Sequence, residues 1–586
     1  MLGTLNQCWV PVTKHPALNE QHSGFLTGQN KRDLAQKFGV EQVMAWRRKY
    51  NEKPPEAVGR LQSAIRDDER YDGLLVPPSS ESLAAVCDRL EPLWEGTIRP
   101  ALQEGRTVMV VSHGNTLRAL VKRIEGLSED DVFHLDLPTA TPLVYDYDAD
   151  LNHLKAHGLW GDRPGVVRHG RYLVDEARVR AAQDAMRSQV KQNIAYSTKS
   201  STSGGPLIEA ACVAQSAGSA VTEIEGEGYT VRQTPPAYFF QESLRLADQA
   251  KNDLEAARRQ RWSTKQRGQK KRVRMALVLL RHGQSVYNQE KVFTGWADPD
   301  LTNRGREEAR LAGQLLRAAG VRKVEGVYTS LLKRAVKTAW LALDEMELTW
   351  TPVHHTWRLN ERNYGGLQGM AKAECVELHG LKQVQKWRRG HADRPPPWTD
   401  QQLADVIDRR YAKAFEEEKA RNVDFPQRSE SLSDCQERLL PFLSDQLQPA
   451  MERCVAKARQ QAEESGDEYE TPVMLVVASE NVLRGLVMHL ENLTPSEVPL
   501  IDVPYAVPLV YQLDSSLQPI ETQWADSPLK AGWYLGDPDK VEKVKAEIKA
   551  DLPRNDDGED SCLVPIADDV DEGESGSGSR MEEWKC

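Results

Sequence analysis

One apolar run of the chain has the length of a buried strand and stops abruptly at charged and small residues. It reads Met275-Ala-Leu-Val-Leu-Leu and ends in Arg281-His282-Gly283, and a shorter apolar run, Gly326-Val-Tyr, precedes a helix start. Short apolar runs bounded in this way are typical of buried parallel strands. We therefore predict an α/β fold with a mostly parallel sheet and helices on both faces. Arg281 and His282 would then lie at the sheet edge where such folds bind ligands.

An internal repeat indicates that the chain holds two copies of one domain. The matching segments, first copy before second, are 18–31 and 359–372, 46–48 and 387–389, 81–83 and 430–432, 108–118 and 474–484, and 142–145 and 508–511. The spacing agrees as well, since Glu20 and Arg47 are 27 positions apart, as are Glu361 and Arg388. So many matches in the same order predict a tandem architecture.

The two copies are not equally complete. The second, residues 273–550, contains every segment, whereas the first, residues 1–190, begins at the equivalent of about residue 340. The first copy therefore lacks a counterpart of the Arg281-His282-Gly283 strand. Either this copy has degenerated or the sequence begins at an internal methionine, and we favour the second explanation. A parallel sheet that lacks its first central strand should leave an open apolar seam.

Composition limits the partners of the chain and the segments that can fold. Residues 191–272 should form a linker, first flexible and rich in Ser, Thr and Gly, then charged and helical, and the acidic residues 551–586 should be disordered. The net charge of -11 over 586 residues argues against nucleic acid as a partner. No stretch is apolar enough to cross a membrane. The eight cysteines form no C-x-x-C pair, which argues against a zinc site and favours a reducing, cytoplasmic location.

The second copy has polar residues suited to phosphate at regular places after its strands and at its helix starts. An imidazole can accept a phosphoryl group covalently, and a guanidinium can hold the phosphate oxygens. The candidate side chains, in chain order, are Arg281, His282, Ser285, Asn288, Thr294, Gly295, Arg334, Glu361, Arg362, Tyr364, Lys372, Arg388, Arg389 and Asn481.

This ordered set resembles the histidine phosphatase superfamily and, more narrowly, its 2,3-bisphosphoglycerate-dependent phosphoglycerate mutases. The resemblance implies that His282 is phosphorylated during turnover, beside Arg281 and Arg334, and that Glu361 is the general acid and base. The remaining candidates would bind a small phosphorylated substrate. 2,3-Bisphosphoglycerate would be the priming phosphoryl donor. No metal is implied, because arginines and backbone donors neutralise the phosphate charge.

The second copy departs from the resembled family at one motif. The family has a second histidine in Ala-His-Gly-Asn, where this copy reads Ala478-Ser479-Glu480-Asn481. Ser479 supplies no cationic charge, and Glu480 introduces a carboxylate where a phosphate should sit. Two like charges about 4 Å apart repel by roughly 4 kcal/mol at an effective dielectric near 20. If Glu480 points inward, we expect a severely impaired mutase.

The first copy shows the opposite defect. It keeps His113, Gly114 and Asn115, but Gln21 and Ser23 replace the Arg and Tyr of the family pattern. It has no equivalent of the nucleophilic histidine. The other candidate residues that this copy retains are Glu20, Lys31, Arg47 and Arg48.

Three functions stay open from the sequence. The first is a glycolytic and gluconeogenic mutase that interconverts 3- and 2-phosphoglycerate, because the segment from Glu361 to Arg389 resembles the mutases more than simple phosphatases. The second is a tandem pseudoenzyme that binds phosphorylated metabolites or partner proteins. The third is a weak phosphatase, in which water discharges a phosphorylated His282. The resemblance also implies an oligomer, formed either between chains or by the two copies within one chain.

Overall fold

The computed structural model describes residues 2–59, 68, 70, 78–148, 150–152, 167–184, 251–260, 273–421, 423, 425–466 and 468–549. By their contacts these residues fall into two units, one of Met1–Val12 with Val231–Cys586 and one of Thr13–Thr230. The contacts thus group the first twelve positions with the complete copy, whereas the repeat alignment assigns them to the partial copy. Most of the predicted linker and the whole of the predicted acidic tail lie outside the described residues, although residues 251–259 are helical.

The larger unit is built on a six-stranded, mostly parallel sheet, as predicted. The numbering of its strands starts at β3, because β1 and β2 belong to the other unit. The strands, in chain order, are β3 (Met275–Arg281), β4 (Gly326–Thr329), β5 (Val353–His355), β6 (Val473–Ala478), β7 (Leu509–Leu513) and β8 (Trp533–Tyr534). Their order across the sheet is β5-β4-β6-β3-β7-β8. β3, β4, β5 and β6 run parallel, and β7 and β8 complete the sheet with antiparallel pairs.

Alternate residues of the central strands point into two separate cores, which confirms that helices cover both faces. Leu277 and Leu279 pack into one core, and Val278 and Leu280 pack into the other. This alternation follows from the two-residue period of a strand. The helices of this unit, in chain order, are α7 (Val286–Gln289), α8 (Asn303–Ala318), α9 (Lys333–Glu345), α10 (Lys372–His379), α11 (Leu381–Arg389), α12 (Asp400–Val406), α13 (Ala412–Ala420), α14 (Leu432–Phe442), α15 (Gln448–Ser465), α16 (Glu480–Glu491) and α17 (Pro538–Lys549).

The register between β3 and β6 determines what lies at the ligand edge of the sheet. Arg281 is paired with Ala478, and the backbone N–H of His282 donates to the carbonyl of Ala478 at 3.0 Å. The two strands therefore end side by side. Because α16 begins directly after β6, Ser479 and Glu480 emerge beside Arg281 and His282.

The smaller unit repeats the helical half of the same domain. Its helices are α1 (Lys31–Phe38), α2 (Val40–Arg48), α3 (Leu83–Leu93), α4 (Arg99–Gln103), α5 (Gly114–Glu125) and α6 (Glu129–His134), and its strands are β1 (Leu143–Val144) and β2 (Arg171–Tyr172). An unusual feature recurs in both copies. A π-helical turn follows α3 at Trp94–Ile98 and follows α14 at Leu443–Leu447. A proline lies just before each of these wide turns, Pro92 and Pro441, where an ordinary helical hydrogen bond is lost.

A glycine in each copy has the same strained environment. Gly24 and Gly365 both have φ near the left-handed region, at +52°. A Cβ at either position would lie 2.1 Å from a carbonyl oxygen, that of Pro55 or of Pro396. Only glycine fits so close an approach, so the two copies share backbone geometry as well as sequence.

The smaller unit does not form the parallel sheet in its described residues. Residues 106–112, which align with β6, are not a strand. Met109 is 52% exposed and Val111 is 72% exposed. This exposure agrees with the open apolar seam expected for a copy without its first central strand.

Candidate active site

His282 lies at the end of β3 with its ring nitrogens in different environments. Nδ1 lies 2.8 Å from the carbonyl oxygen of Gly283, which can only accept, so Nδ1 carries the proton. Nε2 is then unprotonated and accepts from Nε of Arg334 at 3.1 Å. Burial, then Arg334 and Arg281, hold the pKa of His282 well below its usual value. The imidazole is therefore neutral near pH 7, with the lone pair that a nucleophile needs.

Arg334 is held rigidly beside this lone pair. It is fully buried in the first turn of α9, and its two terminal nitrogens donate to the carbonyls of Ala297 and Gly295 at 2.8 and 2.9 Å. The second of these nitrogens also lies 3.5 Å from the hydroxyl of Ser479. Within the described residues Arg334 forms no ion pair, so its charge remains available to an anion at His282 Nε2.

Glu361 lies at the same edge, on the loop that precedes α10. Its Oε1 accepts from the backbone N–H of Arg362 at 2.7 Å and from Nδ2 of Asn481 at 3.1 Å. The Tyr364 hydroxyl accepts from Arg362 and from Asn481, each at 3.1 Å. The structure thus brings together predicted residues that are up to 120 positions apart in sequence.

Glu480 points into the site, which is the orientation for which the sequence predicts an impaired mutase. Its Oε2 is 2.9 Å from Nη2 of Arg281, its Oε1 is 3.9 Å from Nη1 of Arg389, and only 13% of its side chain is exposed. Burial raises the pKa of the carboxyl, but Arg281, Arg389 and further arginines outweigh burial and lower it well below the usual value. Glu480 is therefore ionised at neutral pH.

The site has two sides with different anion-binding groups. On the transfer side, His282 Nε2, Arg334 and the Ser479 hydroxyl lie together. On the second side, Arg281 and Arg389 hold Glu480. Arg281 is also fixed by a 2.7 Å hydrogen bond to the carbonyl of Val503, and its guanidinium lies 4.0 Å from the ring centre of Tyr505.

The other predicted residues of the second copy have mixed positions. Ser285 and Asn288 cap α7 through hydrogen bonds to one another. The Thr294 hydroxyl donates to the carbonyl of Val292 at 3.4 Å. Lys372 and Arg388 are buried, and Arg388 donates to the carbonyl of Ile548 at 3.4 Å. Their role in substrate binding stays a prediction.

In the smaller unit some of the retained basic residues lie near one another, since Arg47 lowers the pKa of Lys31, and burial, then Arg48, lowers the pKa of Arg47. Glu20, Lys31, His113 and Gly114 are exposed, and Arg47 is half-buried. Arg48 donates to Phe133, Leu135 and Asp136 and so helps to hold the fold. Asn115 accepts from Arg118 at 2.9 Å. No histidine in the described part of this unit corresponds to His282.

Sequence reasoning missed Arg484 and Asp502. Arg484 is buried, donates to Asn481 and to the carbonyl of Val498, and has its pKa lowered to about 9 by burial and then by Arg389. Asp502 accepts from Arg389 at 3.0 Å. The repeat carried a signal for Arg484, because Arg118 occupies the matching position and makes the matching contact. The repeat carried a signal for Asp502 as well, because Asp136 occupies the matching position and pairs with Arg48 as Asp502 pairs with Arg389.

Comparison with known proteins supports the superfamily in both copies. The histidine phosphatase superfamily (branch 1) model matches residues 60–159 and residues 277–424. The second match includes His282, Arg334 and Glu361. Two successive regions of the chain are thus similar to the histidine phosphatase superfamily, whose members are phosphoryl-transfer enzymes.

Several solved structures resemble part of the chain. "Mycobacterial hydrolase 1" is 22% identical, with 42% of this chain and 94% of that chain covered and a TM-score of 0.30. A mycobacterial glucosyl-3-phosphoglycerate phosphatase is 21% identical, with 42% and 95% covered and a TM-score of 0.29. The alpha-ribazole phosphatase of Shigella flexneri is 20% identical, with 42% and 95% covered and a TM-score of 0.28. Likenesses this distant do not bear on the substrate of this chain.

Two further properties of the described residues concern membrane-spanning helices and groups of metal ligands. None of their helices has both the length and the apolar character needed to cross a bilayer. Among the same residues, no three His, Cys, Asp or Glu side chains converge as metal ligands would.

Proposed function

We propose that residues 273–549 form a phosphoryl-transfer site of the phosphoglycerate mutase type, in which His282 accepts a phosphoryl group from a phosphate ester. The observation that carries the proposal is the neutral His282, whose Nε2 accepts from Arg334, a fixed cation that forms no ion pair within the described residues. A nucleophile and a preorganised cation at one point are what transfer of a dianionic phosphoryl group needs.

The residues have separate roles in this reaction. His282 Nε2 attacks phosphorus, the N–P bond forms, and the ester O–P bond breaks. Glu361 gives a proton to the leaving oxygen, and Arg334 neutralises the charge on the phosphoryl oxygens. In the second half, the acceptor gives its proton to Glu361 and attacks phosphorus, which restores His282.

We further propose that interconversion of 3- and 2-phosphoglycerate is strongly impaired. Mutase turnover primed by 2,3-bisphosphoglycerate needs a site that holds two phosphates at once. Glu480 forms ion pairs with Arg281 and Arg389, the arginines that would otherwise bind the second phosphate. Ser479 can form only a neutral hydrogen bond at the position where the family has a histidine. Losing one preorganised donor alone commonly lowers the rate by about 10²–10³.

The same observation favours a second candidate, a weak phosphatase. Glu480 pairs with Arg281 and Arg389 and not with Arg334, so the transfer side stays open to a single phosphate. Water could then discharge the phosphohistidine.

The test uses the full chain and three assays: phosphohistidine formation from 2,3-bisphosphoglycerate, conversion of 3- to 2-phosphoglycerate, and release of inorganic phosphate. The wild type is compared with the double variant Ser479→His, Glu480→Gly, with His282→Ala, and with Glu463→Gln as a matched loss of one exposed glutamate charge. We expect 2,3-bisphosphoglycerate to phosphorylate His282 in the double variant, and we expect mutase activity at least 10²-fold higher in that variant than in the wild type.

The outcomes separate the candidates. Phosphate release without interconversion in the wild type identifies the phosphatase. Full mutase activity in the wild type contradicts the proposed impairment. Absence of phosphohistidine in both the wild type and the double variant contradicts phosphoryl transfer at His282 and leaves binding alone.

A further inference from the structure

We infer that Glu480 stands in for an anionic group of the substrate, so that the site takes phosphate monoesters whose remaining part carries no carboxylate and no second phosphate. The inference rests on the proposed function only in assigning the phosphate to the transfer side at His282. The inference adds the substrate class, phosphate monoesters without a further anionic group, which the phosphoryl-transfer chemistry does not specify.

The position of Glu480 is built into the fold. It is the first residue of α16, and Ser479 before it lies directly after β6. The carboxylate cannot swing away without breaking its ion pairs with Arg281 and Arg389, which are held by Val503 and by Asp502. Glu480 therefore behaves as a fixed internal ligand of the second side.

Charge balance on the two sides explains the selectivity. On the second side, Arg281 pairs with Glu480 and Arg389 pairs with Asp502, so that both guanidiniums already have a carboxylate partner. On the transfer side, Arg334 forms no ion pair within the described residues. A phosphate is therefore attracted to His282, whereas a carboxylate on the same substrate would have to displace Glu480 from Arg281 and Arg389 and would be repelled by its charge.

Arg362 and Arg484 supply further hydrogen-bond donors close to Glu480 and Arg389. Nε and Nη1 of Arg362 and Nε of Arg484 are buried and make no hydrogen bond within the described residues. Such groups favour a ligand with hydrogen-bond acceptors, because leaving a buried donor unpaired is costly. Hydroxyl groups can satisfy them without adding a second negative charge, so a polyol phosphate fits the site.

The experiment compares two esters that differ at one group. Glycerol 3-phosphate carries a hydroxymethyl group where 3-phosphoglycerate carries a carboxylate. Binding of each to the full chain is measured by titration calorimetry, and phosphate release from each is measured in parallel. We expect the wild type to prefer glycerol 3-phosphate at least tenfold. In Glu480→Gln this preference should fall at least tenfold, which equals about 1.4 kcal/mol.

Two more variants serve as controls for the loss of the Glu480 charge. Glu480→Asp retains the charge and should keep the wild-type preference even if its affinity for both esters falls. Glu463→Gln, on an exposed face of α15, should leave the preference unchanged. If Glu480→Gln does not fold, Glu480→Asp and the wild-type preference still decide the matter.

Failure of the inference differs from failure of the proposed function. Equal affinities of the two esters in the wild type, or no binding of glycerol 3-phosphate, overturns the inference, even where His282 becomes phosphorylated. A tenfold preference without any phosphohistidine supports the inference as a binding specificity and contradicts the proposed phosphoryl transfer.

Discussion

Replacing Glu480 by Gln should destabilise the larger unit, and an anion should restore its stability. The substitution keeps the shape of the side chain but leaves Arg281 and Arg389 without their shared partner. Removing one partner of a buried ion pair costs about 3–5 kcal/mol. For a domain of this size 1 kcal/mol corresponds to about 2–4 °C, so we expect the melting temperature to fall by roughly 6–20 °C.

Inorganic phosphate is the second half of this prediction. In Glu480→Gln the second side gains an uncompensated positive charge, so phosphate should bind there as well as at His282. A ligand at 100 times its Kd stabilises the folded state by about 2.7 kcal/mol. Phosphate should therefore raise the melting temperature of Glu480→Gln by several degrees more than that of the wild type or of Glu463→Gln.

The effect should also depend on pH. The pKa of Glu480 is lowered in the folded protein, so its stabilising contribution is fully present above the unfolded value of about 4.5 and is lost as the pH falls through the folded pKa. The difference in melting temperature between the wild type and Glu480→Gln should be constant from pH 5 to 8 and shrink below about pH 4.5. Melting is followed by circular dichroism. Equal melting temperatures at pH 7, or equal stabilisation of both proteins by phosphate, would refute the reasoning.

Three further predictions concern groups around Glu480. Arg334→Lys should lower the rate of His282 phosphorylation by about 10²-fold in rapid-quench assays, because lysine cannot donate to both carbonyls and to the phosphate; an unchanged rate would contradict this. Because the pKa of His282 lies well below 6.5, its imidazole stays neutral from pH 8 down to 6.5, and the rate of His282 phosphorylation should not fall over this range through protonation of His282. A fall in this rate with a midpoint near pH 6.5 that is caused by His282 would contradict this prediction. Glu430→Gln should destabilise the unit by about 3–5 kcal/mol in urea unfolding, because buried Arg438, which also holds the carbonyl of Glu361, loses its carboxylate partner; a loss below about 1 kcal/mol would mean that the pair is exposed to water.

Much of the fold could be predicted because its signals are local. The apolar run of β3 ends in Arg281-His282 at the ligand edge, as the pattern indicated. The repeat predicted two copies in tandem, which the two matched regions support, and the division into one complete and one partial copy stays a prediction. These signals depend on strand burial and on self-similarity, and both can be read from one sequence.

The details of the site could be predicted only in part. The motif break at Ser479 and Glu480 indicated a defect, and it left open whether Glu480 points inward. The direction of Glu480 depends on the register of β3 against β6 and on Arg389 at the end of α11. These three segments are far apart in sequence. Tyr505 comes from an irregular segment, and Thr139 occupies its place in the first copy, so neither a periodic pattern nor the repeat marks it. Asp502 lies in the same segment and could have been found from Asp136 in the first copy.

Which residue of the full chain becomes phosphorylated is the measurement on which the proposed phosphoryl transfer depends. The protein is incubated separately with glycerol 3-phosphate and with 2,3-bisphosphoglycerate, digested at alkaline pH and examined by mass spectrometry for phosphohistidine. We predict the phosphoryl group on His282 in the wild type and none on that peptide in His282→Ala. Absence of phosphohistidine, or its appearance on another histidine such as His113, would contradict the account.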